Sequence, residues 1–560
     1  MEIYNQFIDP STCLGSLSCH FTSKEDQNLI ISKGTVLQIF KLIEIEPQDL
    51  TSEKGTINDV VAGTESFIGD EIISTLQDKH HKLSLVSEYT LQGRIFDFSK
   101  FRSNENQDLD YLIVCTEFTK ISIIKWDASS HHIKTVSLHY YEPTLEALLV
   151  EKITNIEKRH RTDPNGLCTS IELNEVFIFL PFYKPEIDDF ALGLEPKDGE
   201  GSVNTGQADE NGRDEKLRKR KVVDTDRSPS KRSKKISDPS FFVTSTKLHE
   251  GLKNIVDYQY LFSYRNPTIA ILYAPEGLTW AGYLPKLKDN MKVIVLSLNI
   301  DTHKTDSIME IPNLPYDLNS IYPLPSPING FLLLGCNEIL HVNSLGSLRG
   351  VYTNKYFPET SDMKLRDKSE LDLECEGCSV GFVGDDQVLL ISQSGKFYVL
   401  SFSESGGVSN LNNITEIPQN NYCSVSVNNI LKITNIEGCN SAFLCCQGSD
   451  SILLHWNYNT PARGTASMSK ASIEKEDEDS WLYDEDESSQ ASHKILTNCL
   501  FSGIDKIPNY GPASDFTIGK VTTKTKVFGL PNPSLNENAI VCSSGLEKDT
   551  ALSIINPSVI

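Results

Sequence analysis

Short apolar segments recur in pairs along this chain, and a polar or glycine-containing turn separates the two members of each pair. Many segments alternate with a period of two residues or form a short continuous run rich in β-branched side chains, as is typical of strands buried in stacked sheets. Ser, Asn, Gly and Glu-Lys sequences at the turns favour tight chain reversals. Eight pairs are found, at residues 29–42, 112–126, 167–182, 268–285, 331–344, 388–402, 442–456 and 539–555.

Helical periodicity is nearly absent, and a short helix is predicted only for residues 141–157. Repeated hairpins without long helices are typical of a β-propeller or an array of sandwiches. A sandwich rarely repeats one hairpin motif so often, whereas each propeller blade needs a neighbour on both faces. The pattern therefore predicts an all-β propeller.

The hairpins do not carry the signature of WD40 repeats. Trp126-Asp127 is a single Trp-Asp dipeptide without a Gly-His pair at the expected place before it, and the other hairpins do not repeat it. We expect Trp126 to pack between two blades of a propeller with a non-WD40 sequence type.

Two charged segments interrupt the hairpins, at 186–239 and 461–493. Both are predicted to be disordered, because the first has almost no aromatic residues and the second carries the acidic run EKEDEDSWLYDEDESS. Trp481, Leu482 and Tyr483 inside that run either dock on a partner or belong to a solvated loop. The early blades then occupy 1–185, the later blades 240–460, and a last blade or the start of a second propeller 494–560.

The charge of the chain restricts its partners. Its 560 residues include 76 acidic and 52 basic side chains, for a net charge of -24. Such a body repels phosphate unless basic residues gather on one face, so broad nucleic-acid binding by the folded part is disfavoured. The longest apolar runs, such as 331–334 and 388–391, are too short to cross a bilayer, so we expect no membrane association.

The 13 cysteines suggest buried free thiols in a reducing compartment, because their number is odd and many lie in apolar strands. This expectation covers Cys115, Cys336, Cys445, Cys446 and Cys542. Cys375 and Cys378 form the only C-x-x-C sequence, and no second pair follows at a spacing suited to zinc. We interpret these two as loop cysteines and expect no metal site.

No catalytic motif is recognisable in the chain. The phosphate-binding G-x-x-x-x-G-K-[ST], the zinc-binding H-E-x-x-H and the nucleophile elbow G-x-S-x-G are all missing from the sequence. We interpret the doublets His80-His81 and His131-His132 as surface residues, and His139 as a packed, hydrogen-bonded histidine. The expectation is a protein that is not an enzyme and holds no cofactor.

A basic tract, KLRKRKVVDTDRSPSKRSKK, lies at 216–235 inside the first charged segment. Its two basic clusters are separated by nine residues and resemble a bipartite nuclear import signal, read by an import receptor. The proposed signal residues are Lys216, Arg218, Lys219, Arg220, Lys221, Lys231, Arg232, Lys234 and Lys235. Ser228, followed by Pro229, is a candidate phosphorylation site whose phosphate would weaken receptor binding. Direct RNA contact and a plain solvated loop are the alternatives; the tract lacks aromatic residues for base stacking.

Eight sequence segments, taken in their order along the chain, indicate a protein family more specifically than the predicted fold does. These are SLHYYE (137–142), RTDPNGLC (161–168), IFLPF (178–182), GLKNIVDYQYLFSYRNPTIAILYAPEGLTWAG (251–282), VIVLSLNI (293–300), WLYD (481–484), IGKVTTKTKVFGLPNP (518–533) and IVCSSGLEKDTALSII (540–555). In this order they resemble the N-terminal part of the large subunit of the cleavage and polyadenylation specificity factor, in its fungal form.

The resemblance implies a longer chain with three propellers, of which this sequence is a fragment that supplies the first, with seven blades. It implies a nuclear, non-catalytic scaffold of pre-mRNA 3′-end processing. The scaffold would dock a WD40 subunit and a zinc-finger subunit that recognise the polyadenylation signal, and it would meet pre-mRNA mostly through the complex. A ubiquitin-ligase adaptor of the DNA damage-binding type and a direct RNA-binding module stay open as alternatives. The hairpin at 539–555 either closes the first ring or opens a second propeller.

Overall fold

A computed structural model describes residues 10–45, 80–102, 109–117, 119–141, 158–182, 236–275, 286–383, 387–405, 407–417, 426–433, 440–458, 499–520, 538–546 and 550–555. Regular structure in these ranges is almost entirely β. The helices are single turns, α1 (Ser245–Leu248) and α2 (Phe357–Thr360), together with a 3-10 turn at Ser369–Leu371. Among the described residues, no helix is long and apolar enough to cross a membrane.

The strands form eight sheets that follow one another along the chain. The first holds β1 (Gly15–Cys19), β2 (Asn28–Lys33), β3 (Val36–Ile45) and β4 (His80–Thr90); the second holds β5 (Ile95–Phe101), β6 (Tyr111–Thr116), β7 (Lys120–Asp127) and β8 (His132–Tyr140). The third holds β9 (Lys158–Thr162), β10 (Cys168–Leu173), β11 (Val176–Pro181) and β12 (Phe241–Thr244); the fourth holds β13 (Ile255–Tyr260), β14 (Thr268–Tyr273), β15 (Met291–Asn299) and β16 (Lys304–Leu314).

The later sheets continue the same order. The fifth holds β17 (Ser320–Pro323), β18 (Phe331–Leu334), β19 (Glu338–Val342), β20 (Leu348–Tyr352) and β21 (Arg366–Asp367); the sixth holds β22 (Ser379–Phe382), β23 (Gln387–Ile391), β24 (Phe397–Ser405) and β25 (Val408–Glu416). The seventh holds β26 (Val427–Ile433), β27 (Asn440–Cys446), β28 (Ser451–Tyr458) and β29 (Cys499–Ile507); the eighth holds β30 (Ala513–Lys520), β31 (Asn538–Ser544) and β32 (Ala551–Ile555). All strand pairs are antiparallel except the short β20–β21 pair.

Each of the eight predicted hairpins falls in a different sheet. Seven of them coincide with observed pairs. In the remaining one, β14 is confirmed but its partner β15 lies beyond the predicted second strand, and residues 276–285 lie outside the described ranges. The predicted helix falls on residues 142–157, which also lie outside them.

Burial explains why these hairpins read as apolar. Every residue of β6, β10, β11 and β14 is buried, because each central strand is covered by a neighbouring sheet on both faces. The outer strands β8 and β16 instead carry mostly exposed or partly exposed residues. The hydrophobic patterning is therefore strongest where a sheet lies between two others.

Seven hydrophobic clusters fill the spaces between neighbouring sheets, one for each successive pair of the first seven sheets and one for the pair formed by the seventh and the first. The last of these packs Leu29 and Ile31 of β2 with Phe443 and Cys445 of β27. The first strands β1 and β26 also contact each other. The first seven sheets are therefore the blades of a propeller, which confirms the predicted fold class.

Each blade is built from consecutive strands, so the seam between the seventh and first blades is held by side chains and not by an exchanged strand. Asn429 Nδ2 donates to Ser16 O at 2.7 Å, and Asp505 Oδ2 accepts from Leu83 N at 2.7 Å. The hairpin at 539–555 lies in the eighth sheet, outside this seam. The ring is therefore joined through β26–β29.

Trp126 confirms the prediction made for it. The side chain is buried in the cluster between the first and second blades, and its ring lies 6.1 Å from that of Phe21. The Trp-Asp dipeptide is thus an inter-blade packing element.

Candidate docking site at the central channel

The predicted import signal lies outside the described residues. This applies to Lys216, Arg218, Lys219, Arg220, Lys221, Lys231, Arg232, Lys234 and Lys235, to the candidate phosphorylation site Ser228, and to Trp481, Leu482 and Tyr483 of the acidic run. For all of them the sequence-based predictions stand unchanged.

The cysteines of the described ranges are free thiols, and all but one of them are buried. Cys115, Cys445, Cys446 and Cys542 are buried as expected, whereas Cys336 is partly exposed because it lies in the turn between β18 and β19.

Cys375 and Cys378 lie in a loop, as predicted, but they pack into the core between the fifth and sixth blades. No group of His, Cys, Asp or Glu in the described ranges is arranged to hold a metal ion.

His131, His132 and His139 are placed as the sequence suggested, whereas the side chain of His80 lies outside the described residues. His131 and His132 are exposed and His81 is partly buried. His139 is partly buried, its Nε2 lies 3.2 Å from Ser137 Oγ, and burial lowers its pKa. This confirms a packed, hydrogen-bonded histidine.

The first strands of neighbouring blades contact one another and so surround the central channel of the propeller. A polar network that sequence reasoning missed lies on these strands in the second and third blades. His160 of β9 is fully buried; its Nδ1 lies 3.2 Å from Asp97 Oδ2 on β5, and its Nε2 lies 2.7 Å from Thr169 Oγ1 on β10. An acid, a histidine and a hydroxyl in this order resemble a nucleophilic triad.

Burial argues against that chemistry for this group. Thr169 is completely buried, and its hydroxyl also lies 2.9 Å from Thr162 Oγ1 and 3.0 Å from Arg161 O. A substrate atom has no path to it. The network instead satisfies the buried histidine on both ring nitrogens and fixes the second blade to the third.

The next residue extends the network around the channel. Arg161 Nη2 lies 3.1 Å from Asp257 Oδ1 on β13, and Asp257 Oδ2 accepts from Ile321 N on β17 at 2.9 Å. Burial raises the pKa of Asp257, and the charge of Arg161 opposes the shift. The third, fourth and fifth blades are thereby tied together by one ion pair and its hydrogen bonds.

A cavity of about 860 Å³ opens beside this network at the mouth of the channel. It is lined by residues of β1, β5, β9 and β26, by the turn at 163–166 and by Gln259 and Phe262. Volumes of about 300–1,000 Å³ are usual for ligand sites. Lys100 and Arg102 are its exposed cations.

Sequence reasoning missed the contacts of His160 and Arg161, although Arg161 opens the quoted phrase RTDPNGLC and His160 stands directly before it. The strand KRHRT is strongly basic inside an acidic chain and stands directly before the turn Asp163-Pro164-Asn165-Gly166. A charged first strand directly before the hairpin of CTSIEL and VFIFLP is a signal for a polar channel wall.

The chain was compared with protein families and with curated proteins. No protein-family model matches it. Over its whole length it is 32% identical to Protein CFT1 of Debaryomyces hansenii and 32% identical to Protein CFT1 of Candida albicans. It is also 25% identical over its whole length to Protein cft1 of Aspergillus fumigatus. The chain spans only 39% to 40% of the length of these relatives.

Proposed function

Since the chain belongs to the CFT1 family, which is the large subunit of the cleavage and polyadenylation specificity factor, we propose that it acts as a scaffold in pre-mRNA 3′-end processing. The observation that carries the proposal is the match of the whole chain to the CFT1 proteins. A ring of seven blades packed through buried side chains supports a role in holding several partners at once, because its rims offer broad surfaces that do not need to fold on binding.

The partners proposed for this scaffold are a WD40 subunit and a zinc-finger subunit that recognise the polyadenylation signal. The test is co-expression of the chain with each subunit, followed by size-exclusion chromatography. The proposal expects a joint peak that contains both proteins in equal amounts. Separate elution of both subunits would contradict it.

The scaffold is proposed to have no catalytic step of its own, and pre-mRNA is proposed to be held mainly by the other subunits. The purified chain is incubated with a labelled RNA that contains a cleavage site. We expect neither cleavage nor addition of adenylate. Activity that persists through purification and disappears after substitution of a residue of this chain would overturn the proposal.

The basic tract is proposed to direct the protein to the nucleus through an import receptor. Replacing all nine signal residues with alanine should shift a fluorescent fusion from the nucleus to the cytoplasm. A matched control replaces Lys364, Arg366 and Lys368, which form a short basic stretch within the described residues. It should leave the distribution of the fusion between nucleus and cytoplasm unchanged. Ser228→Asp should reduce nuclear accumulation, because added negative charge opposes receptor binding. Nuclear accumulation of the alanine variant would refute the assignment.

A further inference from the structure

We propose that the mouth of the central channel is a docking site for an acidic peptide segment of a partner protein. The inference rests on the described residues of the cavity and not on the role in RNA processing, so either proposal can fail alone. It is derived from the exposure of the charged groups that line the cavity.

Lys100 and Arg102 are the exposed charged residues of the cavity, and its carboxylates are less exposed. Arg102 is 49% exposed, whereas its partner Asp110 is 5% exposed. Lys100 is exposed, and Asp163 at the opposite wall is only 2% exposed. A ligand that enters the mouth therefore meets positive charge first, although the whole chain carries a charge of -24.

The two cations are held in place before any ligand arrives. Lys100 Nζ donates to Ser18 O at 2.6 Å, which uses one of the three donors of its ammonium group. Arg102 Nε donates to Asp110 Oδ1 at 2.8 Å. Asp110 in turn accepts from His20 N at 2.9 Å. Side chains fixed in this way lose little conformational entropy when they bind a carboxylate.

Asp97, the remaining carboxylate of the wall, is already engaged. It lies 3.2 Å from His160 Nδ1 and 3.9 Å from Arg161 Nη1. Its side chain is 36% exposed, less than that of Arg102, so Lys100 and Arg102 are the charged residues of the lining that are most exposed to an entering ligand.

Uncharged groups of the cavity suit a polypeptide backbone. The side-chain amides of Asn165, Gln259, Asn428 and Asn429 line it together with the partly buried ring of Phe262. Amides carry both donors and acceptors and can pair with peptide N–H and C=O groups. An extended acidic peptide would use them along its length while its carboxylates meet Lys100 and Arg102.

A peptide fits the cavity better than RNA does. Nucleic acid carries a phosphate at each nucleotide, and a strongly acidic protein repels the phosphates that extend beyond a small basic spot. A short peptide brings only a few charges, and all of them can lie within one open cavity of about 860 Å³.

The test measures fluorescence anisotropy of a fluorescein-labelled hexaglutamate peptide titrated with the 560-residue chain. We expect saturable binding that weakens as salt is added. Lys100→Glu should weaken binding about tenfold or more, because it replaces attraction with repulsion at an exposed position that leaves the Arg102–Asp110 pair intact. The double variant Lys100→Ala/Arg102→Ala is tested in the same titration. Its thermal unfolding midpoint is compared with that of the parent to check that it folds.

Lys396→Glu is the matched control, since it makes the same charge change at an exposed lysine of a separate cavity, which is lined by Asp372, Glu374 and Glu376. It should leave peptide binding unchanged. Three results would overturn the proposal: no saturable binding by the parent chain, equal losses in Lys100→Glu and Lys396→Glu, or tighter Lys100-dependent binding of a labelled single-stranded oligoadenylate than of the peptide.

Discussion

Glu338 of β19 offers a sharp test of the energetics of this fold. Its side chain is fully buried and lies directly over Gly335, where an added Cβ would come within 2.1 Å of Glu338 Oε1. Burial, followed by the charge of nearby Asp317, raises the pKa of Glu338 from its ordinary 4.5 to about 10. The folded protein therefore holds Glu338 protonated at neutral pH, whereas the unfolded chain ionises it.

This difference in ionisation makes the free energy of unfolding fall as the pH rises. A carboxyl whose folded pKa is raised contributes its full stability below pH 4.5 and loses it as the pH rises toward 10. Each pH unit in this window costs about 1.4 kcal/mol. Between pH 6 and pH 8 the parent protein should lose about 2.7 kcal/mol of unfolding free energy that Glu338→Gln retains, because glutamine has a similar shape and no proton to bind.

The assay is urea unfolding followed by tryptophan fluorescence at pH 6, 7 and 8, for the parent, Glu338→Gln and the control Glu404→Gln. Glu404 is exposed on β24, so the control should follow the parent at every pH. We expect the free energy of unfolding of Glu338→Gln, relative to that of the parent, to grow steadily with pH. A difference that stays constant from pH 6 to pH 8 would show that Glu338 keeps its ordinary ionisation in the fold and would refute it.

Three further predictions concern contacts between blades. Asp505→Ala leaves Leu83 N without its acceptor at the seam and should lower the free energy of unfolding by about 1–3 kcal/mol. Amide hydrogen exchange in β2–β4 should become faster, and unchanged exchange there would contradict the role of this bond. Arg161→Met leaves Asp257 buried without its cation and should lower the free energy of unfolding by about 3–5 kcal/mol, measured in urea. Adding Asp257→Asn should recover part of this loss, and no recovery would refute the pairing. Trp126→Ala should cost about 3–5 kcal/mol in the same assay, and a change below about 1 kcal/mol would show that the indole does not pack between blades.

Much of the fold could be predicted because burial on both faces leaves a clear imprint on a strand. The sequences of β10 and β11, CTSIEL and VFIFLP, are completely buried and read as one hairpin. The partner of β14 was misplaced because the apolar residues in 276–285 resemble a strand and stand before the true one, β15. Local pattern cannot separate two apolar segments that compete for the same neighbour.

The candidate site was beyond the reach of the sequence for a different reason. His160, Asp97 and Asp257 lie far apart in the chain and meet only because the first strands of three blades converge on one channel. Their contacts depend on that convergence and not on their neighbours in sequence. The predicted import signal is the opposite case, because a basic tract can be recognised from its composition alone, and it stays a prediction.

The central claim is that this chain is part of a scaffold for pre-mRNA 3′-end processing, and the most direct test is purification of the protein tagged at its own chromosomal locus. Mass spectrometry of the purified complex should find the WD40 and zinc-finger subunits in amounts equal to the tagged protein. Recovery of the intact protein with a cullin ubiquitin ligase and without either subunit would contradict the claim.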